Sequence, residues 1–487
     1  MREGTMRQGM LAYLGAVVTC IGLSGCVFYL NPLCNDHIHN GEETDIDCGG
    51  SCGPCDVGAS CRSASDCADS ICVGGTCKPL PCANGVQDEQ ETDVDCGGGT
   101  CHPCAGARHC EIGSDCFSGT CVAVSNTCSS IAVVSFADAV PYQAGAKPYT
   151  LFSTDLNGDG RIDLAVVNEI GSSISVFLNN GLGTFTRQEP PFPTGNFPTG
   201  GTLADFNHDG ILDLVTANFH GNSVSVLLNP GTGVLAPSVS YPTIDGGETS
   251  NLAVGDFDKD GNLDVIATNQ SKHSVSQFMG LAGGTLAPAI DLQVGISGAS
   301  APFSAAIGDF NGDGKDDLAI GENTSNTIVV RLGNGNGTFQ AEVPYAAGGG
   351  PGYVILATDL NLDGQLDLVS ANRGSDNISV LLGRGDGTFR KAITSSTGAG
   401  SGPYSLAVAD FNKDGVPDVI TANFMGSNAS VLLGIGDGHF EDPIDAGPTG
   451  SFCYGVAVGD FNGDGTLDFA TANAIADNMT VKLSTSH

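Results

Sequence analysis

The sequence predicts an all-β chain, a seven-bladed β-propeller preceded by two small disulfide-rich repeats. Three observations carry this expectation. An acidic motif that begins at Asp155 recurs at Asp205, Asp256, Asp309, Asp359, Asp410 and Asp460, with steps of 50, 51, 53, 50, 51 and 50 residues. Such a period without helical patterning fits a four-stranded blade repeated seven times. Glycine supplies 71 of the 487 residues, and only glycine takes positive φ without steric cost, so tight turns between short strands are expected rather than helical bundles. Upstream, 16 of the 19 cysteines lie between Cys34 and Cys128, a density that reads as stapled small repeats.

Residues 1–25 read as an export signal. Arg2 and Arg7 precede an apolar run from Met10 to Leu23, which is short for a bilayer span of about 20 residues. Leu23-Ser24-Gly25-Cys26 follows directly and resembles the bacterial lipobox, which implies lipidation of Cys26. Acyl chains contribute about 0.8 kcal/mol per buried CH₂, so several of them make a stable membrane anchor. Residue 27 is Val rather than Asp, which points to an outer-membrane or cell-surface place in a bacterial envelope. Residues 26–33 form the anchor linker.

The clustered cysteines fall into two arrays of eight, in repeats spanning 34–80 and 81–130. Glu43-Thr44-Asp45-Ile46-Asp47-Cys48 in the first is matched by Glu91-Thr92-Asp93-Val94-Asp95-Cys96 in the second, which marks an internal duplication. Units this small bury too little apolar surface to stand alone, and disulfides are the expected staple in an exported chain. The competing reading is zinc on Cys52-x-x-Cys55 and Cys101-x-x-Cys104. Even cysteine counts, an oxidising compartment and the absence of paired histidines weigh against it. The connectivity is left open.

Residues 131–487 form the propeller. In the sixth copy, Tyr404 to Ala409, Pro417 to Ala422 and Ala429 to Leu433 read as strands, and a Gly434-to-Gly438 turn leads to Phe440 and an outer strand. Phe185, Phe339, Phe389 and Phe440 share the slot after that turn, with Leu235 and Leu286 in copies two and three, and are expected in the core between blades. The seventh copy stops at His487 without an outer strand, whereas Val134 to Val140 stands before the first copy. That N-terminal segment is expected to supply the missing strand and close the ring.

Fifty-four acidic residues against 18 basic ones give a net charge of −36, which excludes a nucleic-acid or anionic-lipid partner held through a basic surface. Divalent cations are the natural counter-charge. The motif Asp-x-Asn/Asp-x-Asp-Gly-x-x-Asp offers side-chain oxygens at positions 1, 3, 5 and 9 and a carbonyl at position 7, with glycine at position 6 for the turn. Hard cations of Ca²⁺ size take six to eight such oxygens. The candidate ligands are Asp155, Asn157, Asp159, Arg161 and Asp163 in loop one, and Asp205, Asn207, Asp209, Ile211 and Asp213 in loop two. Loop three offers Asp256, Asp258, Asp260, Asn262 and Asp264, and loop four Asp309, Asn311, Asp313, Lys315 and Asp317. Loop five offers Asp359, Asn361, Asp363, Gln365 and Asp367, loop six Asp410, Asn412, Asp414, Val416 and Asp418, and loop seven Asp460, Asn462, Asp464, Thr466 and Asp468. Up to seven Ca²⁺ are therefore expected. No glutamate stands at position 12, so the position-9 aspartate is expected to take the bidentate role.

On these repeats, residues 131–487 resemble the FG-GAP/VCBS repeat β-propellers, the architecture of the integrin α-subunit head. The resemblance implies a calcium loop between the first two strands of each blade and ligand contacts on the opposite face. Phe-Gly and Gly-Ala-Pro are not preserved around the loops, so an integrin-like ligand is not implied. Arg384-Gly385-Asp386 lies in a turn that reads Gly333-Asn-Gly-Asn-Gly337 in another copy, and is expected to be structural. Cys453 fills a slot held by Pro148, Pro198, Pro302 and Pro403, and no histidine recurs beside it, so a buried cysteine is expected rather than a nucleophile.

Two function classes follow. The favoured one is a surface-anchored, calcium-stabilised binding or adhesion module with no catalytic activity, taking a protein or glycan on a propeller face. The alternative is a polysaccharide lyase or other sugar-processing enzyme. The absence of Trp and scarcity of Lys and Arg weigh against the latter, because sugar sites usually combine aromatic platforms with basic groups. Loops after the second strand vary most, which makes Phe219, His220, Arg373 and Phe424, with Lys272-His273 and Met425, the candidate contact residues.

Overall fold

The computed structural model describes residues 134–486 apart from 244–245, 296–300 and 350–353, together with short stretches before them at 16–20, 26–30, 59–62, 71–73, 76–78, 121–122 and 127–128. Ala16–Cys20 pairs with Cys26–Leu30. A hairpin of Ile71–Val73 with Thr76–Lys78 sets Cys72 opposite Cys77, and one of Cys121–Val122 with Thr127–Cys128 sets Cys121 opposite Cys128, at matching places in the two duplicated repeats. Cys61 and Cys77 are buried and disulfide-bonded. The rest of the expected leader, anchor linker and Cys-rich repeats lies outside the described residues.

From residue 140 onward the chain is an all-β, seven-bladed propeller of antiparallel four-stranded sheets. In blade one the order from the centre is Pro148–Thr154, Asp163–Asn168, Ser173–Asn179 and an outer strand in two pieces, Phe185–Arg187 and Phe192–Pro193. The innermost strands of blades two to seven are Pro198–Ala204, Thr249–Gly255, Pro302–Gly308, Ile355–Thr358, Pro403–Ala409 and Cys453–Gly459. Every second strand, such as Asp418–Asn423, is buried along its whole length. Both faces of each sheet meet a neighbouring blade, which is why these strands read as nearly continuous apolar runs.

Blade seven is completed by the N-terminal side of the chain: Val140–Gln143 pairs with Asn478–Lys482, with Val140 opposite Val481. The strand lies later than the expected Val134-to-Val140 segment. Phe136 instead bridges Ser484, as Phe440 bridges Gly434 and Phe389 bridges Gly383 in their own blades. In those blades the outer strand starts shortly after the phenylalanine, at Ile444 and Ile393, and Val140 keeps the same offset from Phe136. The buried ring therefore sets the register.

Among the described residues the core is seven clusters, each shared by two adjacent blades rather than gathered at the centre. At each seam the residue in the Phe slot packs on position 2 of the preceding blade's acidic loop. Phe185 meets Phe461 at 5.5 Å between ring centroids, Phe389 meets Phe310 at 5.3 Å, and Phe136 meets Phe411 at 6.3 Å, all edge to face. Leu235 with Leu156 and Leu286 with Phe206 are the aliphatic versions. The backbone follows the same seam: the amides of Gly183, Gly233, Gly337 and Gly387 donate to the position-2 carbonyls of Phe461, Leu156, Phe257 and Phe310 at 2.8 to 3.0 Å.

Because Val140–Gln143 closes the ring, a chain truncated through Gln143 is expected to melt several degrees lower. Its first amides to lose hydrogen-exchange protection should be those of Asn478–Lys482. Uniform protection across all blades after truncation would contradict closure by this strand.

Candidate functional site

Each acidic loop joins the first and second strands of its blade. Position 6 is glycine at φ between +74° and +89° in all seven loops, the left-handed region where a side chain would be strained. In loop one, Asp155 accepts the amides of Gly158 and Gly160 at 2.7 and 2.8 Å, Asn157 Oδ1 accepts that of Asp159 at 3.0 Å, and Asp159 accepts that of Arg161 at 3.0 Å. The loop is thus wrapped around its own carboxylates. In loop three, Asp256, Asp258 and Asp260 each offer a carboxylate oxygen within 4.8 Å of the others, the one such group found among the described residues. These donors are all oxygen, so the residues present fit a hard cation such as Ca²⁺.

The position-9 aspartates are built differently. Asp163, Asp213, Asp264, Asp317, Asp367, Asp418 and Asp468 are all fully buried. One carboxylate oxygen of each accepts the position-2 amide of its own loop, and the other accepts an amide at or just past the end of the third strand. For Asp367 these are Leu360 at 2.9 Å and Gly383 at 2.8 Å; for Asp418, Phe411 and Gly434, both at 2.8 Å. Two accepted bonds leave lone pairs on each carboxylate, so this tie is compatible with a cation contact.

Burial pushes these carboxyls up, Asp367 to about 7 and Asp418 to about 8, against the two amide bonds that lower them and with nearby loop aspartates adding to the rise. Asp163, Asp264, Asp317 and Asp468 reach about 6 for the same reason. Asp313 at position 5 goes the other way: the Lys315 side chain, bonded at 2.6 Å, holds it below the usual range. Loop six stands apart, since Asn412 and Asp414 are buried and burial raises Asp414 to about 6.

Strands alternate in direction, so the start of each innermost strand and the loop after each second strand lie on the face opposite the acidic loops. There the innermost strands of all seven blades enclose a cavity of ≈ 450 Å³. Six residues before the first aspartate, the described slots around it hold Tyr149, Thr199, Ser250, Phe303, Tyr404 and Tyr454. Tyr149 stacks on Tyr454 at 4.4 Å, Tyr404 meets Tyr454 edge to face at 4.7 Å, and the hydroxyls of Tyr149 and Tyr404 are hydrogen-bonded. Phe424 lies 4.9 Å from Tyr454 and 4.5 Å from Phe452. The Arg373 guanidinium sits 4.2 Å over Phe424 and 5.8 Å from Tyr404. Phe452 adopts φ +56°, where the preceding blade has Gly402 at +55°. A bulky residue in this region costs of order 1–3 kcal/mol, and such strain clusters at functional sites.

Two of the expected contact residues, Arg373 and Phe424, are therefore brought together. Phe219 and His220 are not: they pack with Phe197 on blade two, at ring distances of 4.6 to 4.9 Å. His273 ends a short 3₁₀ turn on blade three, and Met425 is exposed beside Phe424. Attention to the loops after the second strand missed the three tyrosines. Their signal was the recurrence of tyrosine at one slot of the repeat, Tyr353 of the fifth copy included, although Tyr353 lies outside the described residues. Arg384-Gly-Asp386 is a tied turn, with Arg384 bonded to the Phe389 carbonyl at 3.0 Å and Asp386 accepting the Thr388 amide at 2.9 Å. Cys453 is fully buried, and burial pushes its thiol up to about 12.

The FG-GAP-like repeat matches six times in overlapping windows, 155–216, 205–267, 256–320, 309–370, 359–421 and 410–471. The chain belongs to the FG-GAP-like repeat family. No curated protein sequence matches it. Among solved structures, this FG-GAP-like chain is similar to the BBS1N chain crystallised in complex with ARL6DN, at 13% identity and TM-score 0.50 over 72% of this chain and 98% of that one. A lectin from Agrocybe aegerita that recognises non-reducing terminal N-acetylglucosamine is 22% identical over 68% and 86% of the two chains, TM-score 0.46. A catalytically inactive virginiamycin B lyase from Staphylococcus aureus is 14% identical over 71% and 98%, TM-score 0.46. At these identities the likeness concerns the fold alone.

The expectation that the chain has no catalytic activity is corrected. Asp256, Asp258 and Asp260 form a carboxylate cluster of the kind enzymes also use, which weighs against a firm absence of catalysis. A scarcity of Trp and of basic residues said nothing about what the ring assembles. Among the described residues no helix is long and apolar enough to cross a membrane.

Asp367→Ala leaves two buried amides without acceptors, each costing about 1–3 kcal/mol. It is expected to lower the melting temperature by several degrees even in EDTA, whereas exposed Asp363→Asn should lower only the calcium count. Equal melting of the two variants in EDTA would deny the position-9 residue its structural role. The pH dependence has a definite sign. A carboxyl whose folded pKa stands above its ordinary 3.8 favours folding when protonated, and that contribution is lost as pH rises through the folded value. Metal-free protein should therefore melt at a lower temperature at pH 8 than at pH 5, and saturating calcium should remove the fall. Calorimetry in EDTA showing a flat or rising trend would contradict this.

Proposed function

We propose that this protein handles carbohydrate at the aromatic mouth of its central cavity, on a propeller stabilised by up to seven Ca²⁺ and held at the bacterial envelope by lipid on Cys26. The observation that carries the reading is the convergence of Tyr149, Tyr404, Tyr454 and Phe424 on a concave site whose far side carries Thr199 and Ser250. A sugar ring has an apolar C–H face and a rim of hydroxyls, so it matches a mouth that is aromatic on one side and hydroxyl-bearing on the other. The volume lies within the usual range for small-ligand sites, roughly 300–1,000 Å³.

Calcium would be held by positions 1, 3 and 5, the position-7 carbonyl and position 9. It would supply counter-charge to acids that otherwise repel one another. Cys-rich repeats at 34–80 and 81–130, stapled by disulfides, would hold the propeller at residues 131–487 away from the membrane. A sugar-processing reaction is the second reading, favoured by the hydrogen-bonded phenols of Tyr149 and Tyr404 in the same mouth, since such a pair can relay a proton.

A glycan array probed with calcium-loaded protein is expected to show binding, and Tyr454→Ala should weaken it by about tenfold or more with the calcium count held. Absence of binding to every glycan, or binding indifferent to Tyr454→Ala, sets the reading aside. New reducing ends appearing in a bound oligosaccharide would select the second reading.

A further inference from the structure

We propose that the ligand is a chain of several sugars, which runs from the mouth across the rim of blade one to a second aromatic station on blade two, formed by Phe197, Phe219 and His220; this rests on the carbohydrate reading above. Two variable slots of the repeat build the rim, one lying eight residues before the first aspartate and the other fourteen after it. In each described pair the amide of the second slot donates to the carbonyl of the first, as Phe219 does to Phe197 at 2.7 Å and Ala474 to Phe452 at 3.2 Å. Aromatic rings fill these slots on blades two, six and seven and on no other blade. Phe424 and Phe452 join the mouth cluster through Tyr454. Phe197 and Phe219 stand apart from it, with the His220 ring 4.6 Å from Phe197 and 4.9 Å from Phe219. Both phenylalanines are half-buried and His220 is exposed, so apolar ring surface and a polar edge are open to a ligand. Phe197 at φ +57° and Phe452 at +56° share one slot, in a conformation that glycine takes freely and phenylalanine does not, and such strain clusters at functional sites.

Blade one fills the gap between the two stations. Its own rim pair is Lys147 and Glu169, joined as an ion pair, with Lys147 Nζ 5.9 Å from the Tyr454 ring on the blade-seven side. On the blade-two side, Ser172 donates its amide to the Glu169 carbonyl at 3.3 Å, and its hydroxyl accepts the amide of Phe197 at 3.3 Å. An unbroken line of contacts therefore leads from Tyr454 to Phe197. Stacked sheets lie about 10 Å apart, so two seams separate the stations by roughly 20 Å, a span that several sugar units cover and a disaccharide does not. Aromatic surface at both ends with a polar stretch between them suits such a chain: ring C–H faces stack at the stations, and hydroxyls between them meet the Lys147 ammonium.

The test uses calcium-loaded full-length protein and ladders of glucan, mannan, galactan and chitin oligosaccharides from one to six units. In at least one series the longest members are expected to bind about tenfold tighter than the disaccharide, the gain from one further aromatic contact. Phe219→Ala should remove that gain and leave disaccharide binding unchanged, and His220→Ala, at an exposed position, should reduce it. Tyr454→Ala should weaken every length. An unchanged melting temperature and calcium count show that the variants are folded. Affinity independent of length, a gain that survives both blade-two variants, or a Phe219→Ala loss equal at every length overturns the proposal and leaves the carbohydrate reading standing. Binding of no sugar in any series overturns that reading, and the proposal with it.

Discussion

The buried aspartate at position 9 of each loop is the interaction on which the propeller depends. One of its oxygens holds the position-2 amide and the other holds the chain as it leaves the third strand, so a single carboxylate ties three segments of a blade. Position 2 in turn is where the neighbouring blade arrives, through its Phe-slot ring and its glycine amide. Order in the acidic loop and packing at the seam are therefore one structural fact. A carboxylate at this depth is costly to leave charged. The amides offset part of that cost, and counter-charge in the loop would offset more.

The same geometry separates two kinds of chemistry. One face carries exposed acidic loops, and the other carries aromatic rings and uncharged hydroxyls around a cavity with no charged side chain among its described lining residues. Their separation follows from strand direction: an innermost strand that ends in an acidic loop must begin on the opposite face. Asymmetry enters through the repeat's variable slots. Aromatic residues gather on blades four, six, seven and one, while Thr199 and Ser250 occupy the same slot on blades two and three.

Near-identical repeats make a fold legible, because each copy repeats the same local signals of turn glycine, alternating strand and buried ring. Asp155 through Asp468 could be aligned by eye, and the spacing yields seven blades before any contact is known. Even closure could be anticipated from the missing outer strand of the seventh copy. The exact pairing could not. Whether Val134 or Val140 begins the strand depends on where Phe136 seats its ring, which is a contact with Phe411 and Phe469 from two different blades.

Sequence alone thus determined the class of fold, the number of blades and the oxygen-rich composition of the loops, because each of these is written within one repeat. Only the tertiary structure decided which variable residues meet. Tyr149 and Tyr404 are 255 positions apart and share a hydrogen bond because the ring closes between blades seven and one. Arg373 and Phe424 were both visible as unusual residues, yet only the stacking of blade five on blade six sets one upon the other. The role of the position-9 aspartate was hidden for the same reason. Its spacing reads as that of a ligand, whereas its burial and its two amide bonds exist only once three strands have been brought around it.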